Sequence, residues 1–320
     1  MTQRAETRYL LTGATGSFGR AFAALVRDER SPDRLVLFSR DEAKQHELRR
    51  QGFDGPTVQF VIGDVRDEGR LREVMRGVEV VVHAAALKHV TTCEQHPREA
   101  MLTNAWGTHN VVQAAIEAGV SKVIALSSDK AVEPAGVYGA TKLLAERLLL
   151  QAHAAGTATR FASARLGNLF GSRGSVSELF RSDARTGRVQ ITDARMTRFW
   201  MTVPVAARFI ATCVDRMSGG EVFVPKTPSL ETVRMARVLA PGAEVHWIGA
   251  RAGEKLHECL LAADEAPRSR ALTDRYIVYP STAAAEGAES GEPLPERFEY
   301  RSDDNTAWLS EDEVRSWAEN

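Results

Sequence analysis

Six apolar runs rich in β-branched residues alternate with stretches of helical character, and no other feature restricts the fold of this chain as strongly. The runs fall at 8–12, 35–39, 58–65, 78–85, 122–128 and 161–168, with helical stretches at 17–30, 41–51, 98–118 and 138–153. Strands covered on both faces read as continuous apolar runs, and regular alternation with helices predicts an α/β fold with a doubly wound parallel sheet. The 320 residues, 43% hydrophobic, are enough for a full core. After about residue 170 the rhythm breaks into shorter segments richer in Arg, Gly and Thr. The expected division is therefore a nucleotide-binding Rossmann domain over 1–170 and a smaller substrate-binding cap over 171–320, some of whose segments return to the first. The Ala/Gly/Glu/Pro-rich stretch 282–298 reads as a mobile surface loop.

Charge narrows the choice of partners. The 41 Lys and Arg nearly balance the 42 Asp and Glu, so the overall field favours neither nucleic acid nor an acidic membrane surface. Cys93, Cys213 and Cys259 have neither paired nor metal-ligand spacing, as expected of a reduced protein with no metal centre. No apolar run approaches the roughly 20 residues that span a bilayer, and the first residues lack a signal core. A soluble cytoplasmic protein is expected.

The first strand runs directly into TGATGSFG, with Gly13, Gly16 and Gly19 spaced GxxGxxG and Ser17 near the start of the next helix. Glycines permit the tight turn and let a pyrophosphate approach the backbone, where the positive end of the helix receives it. The position of this turn, between the first strand and a helix, predicts a dinucleotide site. At the end of the second strand, where NAD-binding proteins often place an acid, stand Ser39 and Arg40. A hydroxyl and a guanidinium match a 2′-phosphate, so NADP is favoured over NAD. The alternative is that Arg40 is merely solvated and Asp41 is a helix N-cap. Asp64 and Val65 would face the adenine edge, and the small residues Ala84, Ala85 and Ala86 would let the chain pass close to the cofactor. Thr15, Phe18, Lys44, Lys88 and Leu169 complete the expected cofactor set.

Tyr138 and Lys142 lie four apart at the start of a predicted helix, hence on one face. An ammonium beside a phenol favours the phenolate and lowers its pKa from about 10. Tyr138 then suits removal of a proton from a substrate alcohol while hydride leaves to a nicotinamide. Preceded by a strand ending LSSD and by the glycine turn, the pair is a specific signal.

With these residues in place the chain resembles an extended short-chain dehydrogenase/reductase, and within that superfamily the inverting UDP-N-acetylglucosamine 4,6-dehydratases. The resemblance is carried in order by TGATGSFG, FSRDEAKQ, GDVRD, HAAALKHV, SSDKA, YGATK, GNLFGSRGSV, ITDARMTRFWMT, GGEVFVPK, GEKLHE and FEYRSDDNTAWLS. It implies that Tyr138 and Lys142 oxidise the sugar at C4, that Lys130 removes the C5 proton, and that Asp129 protonates the departing C6 hydroxyl, with the Ser128 hydroxyl beside them. Hydride then returns to C6, and reprotonation from the other face inverts C5. A Lys acting as base must be neutral part of the time, so burial among cations such as Lys142 is expected to depress the pKa of Lys130. Asp129 needs the opposite shift.

The resemblance also implies that Lys88, Asn168, Ser172, Arg173, Gly174, Ser175, Val176, Thr192, Arg198, Arg251 and Glu254 line a nucleotide-sugar pocket, and that the chain forms a homo-oligomer. Arg195 is a further cation of the cap, and His89 belongs to the site wall, since no second ligand stands at metal spacing. Ser128, Thr91, Ala252 and Leu169 replace residues usual in the family; Ser128 keeps the hydroxyl, and none of the replacements removes a proton-transferring group. Two alternatives remain at this stage: a 4-epimerase or sugar dehydrogenase, which needs Tyr138 and Lys142 but not Asp129 and Lys130, and a non-catalytic NADP sensor.

Overall fold

The computed structural model describes residues 7–288 and 291–319. In the first half, β1 (Arg8–Thr12), β2 (Arg34–Ser39), β3 (Val58–Ile62), β4 (Val80–His83), β5 (Lys122–Ser128) and β6 (Arg160–Leu166) form the parallel part of the main sheet. The cap side contributes β7 (Asn168–Phe170), β8 (Arg188–Ile191), β9 (Thr197–Thr202), β10 (Val222–Pro225), β11 (Ser229–Glu231) and β12 (Glu244–Trp247). The chain ends with β13 (Cys259–Leu261), β14 (Ser269–Ala271), β15 (Arg275–Val278), β16 (Glu292–Pro293) and β17 (Tyr300–Arg301). The main sheet runs β16-β14-β15-β10-β6-β5-β4-β1-β2-β3. Its order changes direction between β1 and β4, the point where such sheets open a crevice at their carboxyl ends.

Helices cover both faces. They are α1 (Ser17–Glu29), α2 (Glu42–Leu48), α3 (Glu68–Val74), α4 (Val90–Gln95), α5 (Pro97–Ala100), α6 (Gly107–Glu117) and α7 (Val137–Ala154) in the first half. Beyond it lie α8 (Val176–Ala184), α9 (Val203–Arg216), α10 (Thr232–Leu239), α11 (Thr282–Glu286) and α12 (Glu311–Glu319). Phe18, Phe22 and Val26 of α1 pack with Ile210 and Val214 of α9 against one face of the sheet. Leu71, Val74, Val111, Val112 and Leu149 fill the other. Burial from both sides explains why β4, Val-Val-Val-His, carries no polar alternation. A third cluster, around Trp200, Phe180, Leu230 and Leu239, is the core of the cap.

Several boundaries depart from the expectations. The predicted strands 58–65 and 78–85 end early, at Ile62 and His83, because Gly63 and the alanines after His83 carry no β-branched side chain to hold a ladder. The predicted helix 98–118 is two helices joined through a π-turn at Met101–Trp106. The stretch 282–298 is not simply a surface loop. Ser281 caps the Ala-rich α11 by accepting from the Ala284 amide, Ala285 is fully buried, and β16 pairs with β14. Alanine's high helix propensity and its small buried face account for the difference. Residues 289–290 of that stretch lie outside the described residues.

Candidate active site

The glycine turn sits where β1 hands over to α1. Gly13 has φ +68°, and a Cβ there would lie 2.8 Å from Ala84 C and Ala85 N, so the turn and the end of β4 touch backbone to backbone. A Cβ on Gly19 would collide with the Gly13 carbonyl oxygen, which explains the third glycine. Thr12 Oγ1 accepts from the Ala85 amide and bonds the His83 ring, locking the two strand ends together. These contacts shape one end of a cavity of about 600 Å³, lined by Gly13, Thr15, Gly16, Ser17, Phe18 and Gly19. The positive end of α1 opens onto it, a cradle suited to a pyrophosphate.

At the adenosine end stand Ser39, Arg40, Asp41, Lys44, Gly63, Asp64 and Val65. Asp41 caps α2 through the Lys44 amide and pairs with the Lys44 ammonium. Arg40 and Asp41 therefore have separate roles, since the cap uses only the second. Arg40 is half exposed, with Nη1 3.3 Å from Asp64 Oδ2, and Asp64 is held more closely by Arg66 at 2.7 Å. The Ser39 side chain is buried, its hydroxyl accepting from Gln45 Nε2.

The middle of the cavity is lined by Ala84, Ala85, Ala86, Lys88, His89, Ser128, Asp129, Lys130, Tyr138 and Lys142. All five residues expected to handle protons thus share one wall. Gly139 makes this possible: a Cβ there would strike the Lys130 carbonyl oxygen, so α7 can lie directly on the Asp129–Ala131 turn. Ser128 Oγ donates to Asp129 Oδ1 at 2.8 Å, and Lys130 Nζ donates to the same oxygen at 3.1 Å. Asp129 Oδ2 is buried and has no hydrogen-bond partner among the described residues. Burial raises the Asp129 pKa, as expected, with Glu258 adding to it and Lys130 opposing.

Two expected shifts run the other way. Lys130 is held above the ordinary lysine value: burial opposes its charge, but Asp129 and Glu258, each 3.1 Å away, outweigh that. Tyr138 is pushed up to about 12 by burial, against weaker opposing effects from Lys130 and Ser128. The depressed lysine is instead Lys142, brought down to about 8 by burial, with its ammonium donating to the Leu126 carbonyl. The expectation placed cations around Lys130, whereas the fold places carboxylates there.

Toward the cap, Asn168, Leu169, Ser172, Gly174, Ser175 and Val176 line the cavity. The loop bearing them is fixed at both sides: the Arg173 amide donates to Ser17 Oγ, and Lys88 donates to the Arg173 carbonyl. The Arg173 side chain turns outward to Glu47. Thr192, Arg251 and Glu254 cluster together through Glu254, outside the cavity lining. Arg198 is also outside it, buried behind the site with its guanidinium donating to the carbonyls of Thr197, Lys255 and Leu256. Arg195 is 74% exposed and paired with Asp193.

Three supporting residues were not singled out from sequence. Glu258, 1% exposed, lies against Lys130, Lys255 and Arg198. Glu94 accepts from the Val137 amide at 2.6 Å, fixing the start of α7. Asn104 links the Leu87 backbone to Thr141, which in turn donates to the Tyr138 carbonyl. Of these only Glu258 lay in a segment already notable, GEKLHE, and its burial has no local signature.

Residues 9–280 match the model of a family described as polysaccharide biosynthesis protein. The inverting UDP-N-acetylglucosamine 4,6-dehydratase of Campylobacter jejuni subsp. jejuni is 41% identical over 318 residues, covering 95% of this chain and 95% of that protein. UDP-glucose 4-epimerase of Rickettsia rickettsii is 38% identical over 283 residues, 84% of this chain and 82% of its own. Among solved structures, Pen from Bacillus thuringiensis superposes with a TM-score of 0.89 at 35% identity, covering 97% of each chain. The chain belongs to the polysaccharide biosynthesis protein family and, within the extended short-chain dehydrogenase/reductases, groups with the inverting UDP-N-acetylglucosamine 4,6-dehydratases.

Proposed function

We propose that this protein is a UDP-N-acetylglucosamine 4,6-dehydratase that inverts C5, uses NADP, and covers its substrate with residues from about 171 onward. The observation that carries the reading is the common wall of Asp129, Lys130, Tyr138 and Lys142, with one Asp129 oxygen buried and unpartnered at the cavity. An epimerase needs only the last two of these four. The glycine cradle and the α1 terminus suit a dinucleotide, and Arg40, Ser39 and Lys44 at the far end support NADP. When bound, a nicotinamide dinucleotide supplies a hydride acceptor that later becomes the donor.

Tyr138 in its phenolate form takes the proton of the C4 hydroxyl. Lys142, near 8, exchanges protons close to neutral pH one helical turn away. The C4 ketone acidifies C5–H. Lys130 in its neutral form removes that proton and Asp129 gives its own to the C6 oxygen; the C5–H and C6–O bonds break, a C5=C6 bond forms, and water leaves. We also take the chain to act as a homo-oligomer, which is supported by Trp106 and Leu144, 55% and 49% exposed beside and on the adjoining helices α6 and α7.

Incubation with UDP-N-acetylglucosamine is expected to give a product lighter by one water. Unchanged mass with a new sugar stereochemistry would select the epimerase reading, which the likeness to the Rickettsia rickettsii protein keeps in view. Absence of any product would sink both.

A further inference from the structure

Glu258 stands just before β13, and its carboxylate is 1% exposed. Its Oε1 lies 3.1 Å from Lys130 Nζ and 3.6 Å from Arg198 Nε, and its Oε2 lies 3.3 Å from Lys255 Nζ. These are charge contacts, without aligned hydrogen bonds to either oxygen among the described residues. Lys130 is thus suspended between two carboxylates, since Asp129 Oδ1 is also 3.1 Å away. Nothing in the proposed chemistry uses Glu258, yet a buried carboxylate this close to an acid–base pair must act on both members.

We propose that Glu258 is a positioning residue for the elimination, fixing Lys130 between two carboxylates and offsetting part of the charge of Arg198 and Lys255, so that Asp129 and Lys130 keep the proton they need. The inference rests on the dehydratase reading for its purpose, but its electrostatics stand apart from it.

The elimination conserves one proton on the pair. Before it, Asp129 is a carboxylic acid and Lys130 an amine; afterwards Asp129 is a carboxylate and Lys130 an ammonium, and internal transfer restores the start. The pair must therefore hold one proton at working pH. Arg198 donates to three backbone carbonyls and Lys255 donates to the Val132 carbonyl, so both cations are fixed close by. Without Glu258, Asp129 alone would face Lys130, Arg198 and Lys255, a field that favours ionised Asp129 and amine Lys130. With Glu258 present, one of those two positive charges is offset, and the pull toward ionised Asp129 is weaker. Tyr138 of α7 also faces the pair, Cys93 of α4 acts on Tyr138, and His257 turns instead to Thr197 and Asp303. In agreement, Glu258 itself is held below the usual glutamate range: burial acts against this, and Lys130, Arg198 and Lys255 prevail.

The test compares the full-length protein with Glu258→Gln and Glu258→Asp. The buried carboxylic acid band of Asp129, identified in infrared difference spectra by its loss in Asp129→Asn, is followed against pH. Glu258→Gln is expected to move its midpoint to lower pH by about one unit or more, while Glu258→Asp stays within a fraction of that. In turnover, both limbs of the pH profile for water loss shift the same way in Glu258→Gln, and its rate near neutral pH falls about tenfold or more. An unmoved midpoint, or a rate loss equal at every pH, would overturn the proposal and leave Glu258 a structural residue. The infrared titration needs no turnover, so a protein that releases no water would fail the functional reading while this result still decided the role of Glu258.

Discussion

Lys130 lies between the carboxylates of Asp129 and Glu258, which favour its ammonium form, so the base role proposed for it requires that it first give up a proton. Replacing it with Ala should cut water loss from the nucleotide sugar by about a hundredfold or more while the dinucleotide still binds, as measured by product mass and by cofactor titration. Full retention of dehydration in that variant would remove Lys130 from the mechanism. Arg40 offers a separate check at the other end of the cavity. Arg40→Ala should weaken NADP about tenfold or more and leave NAD unchanged, by calorimetry, because only the 2′-phosphate would lose a charged partner. Tyr138 and Lys142 could be read from their spacing together with the strand end LSSD and the glycine turn before them, since each of these is local in the sequence. The directions of the Lys130 and Tyr138 shifts could not. They depend on burial and, for Lys130, on Glu258 as well as the adjacent Asp129; Glu258 is brought in by the fold from far along the chain, and no window of sequence around the SSDKA segment contains it.

Helix α7 lies directly on the Asp129–Ala131 turn because of what it lacks. Gly139 faces the Lys130 carbonyl with no room for a methyl group, so Gly139→Ala should push α7 away from the Asp129–Ala131 turn. A loss of about 1–3 kcal/mol in stability is expected, with a larger fall in turnover than in dinucleotide binding. Thermal melting and steady-state kinetics would separate the two, and a fully active variant would show that the close approach is dispensable. The strands and helices of the first half were legible from sequence because each is a continuous apolar or periodic run. The π-turn at Met101–Trp106 and the short α11 were not. One is a local insertion into an otherwise regular helix, and the other an Ala-rich turn whose burial depends on partners elsewhere in the chain.

The parts are tied together by a buried ion network. Arg165 on β6 is bidentate to Glu146 of α7 and to Glu265 in the Ala263–Arg268 turn, and Ser127 donates to Glu146. The strand, helix α7 and the returning C-terminal segment therefore meet at one guanidinium. Arg165→Met leaves buried Glu146 without its counter-ion and Glu265 with Arg268 alone, and should cost about 3–5 kcal/mol, read from denaturant unfolding. The sign with pH follows from Glu265, held below its ordinary value because Arg165 outweighs the effect of burial. That stabilisation is complete above the ordinary carboxylate range and is lost as pH falls through the depressed value, so the gap between variant and parent should narrow in acid. An equal gap at all pH values would mean that packing, not charge, sets the loss. The bridge from Ser17 and Lys88 to the backbone of Arg173 has its own corollary. It fastens the far loop beside the cradle where a pyrophosphate would rest, so a dinucleotide bound there would have to pass that strap to get out. Escape is then slow compared with a catalytic cycle that returns its hydride to the sugar it came from, and the protein should emerge from the cell already charged with its redox partner.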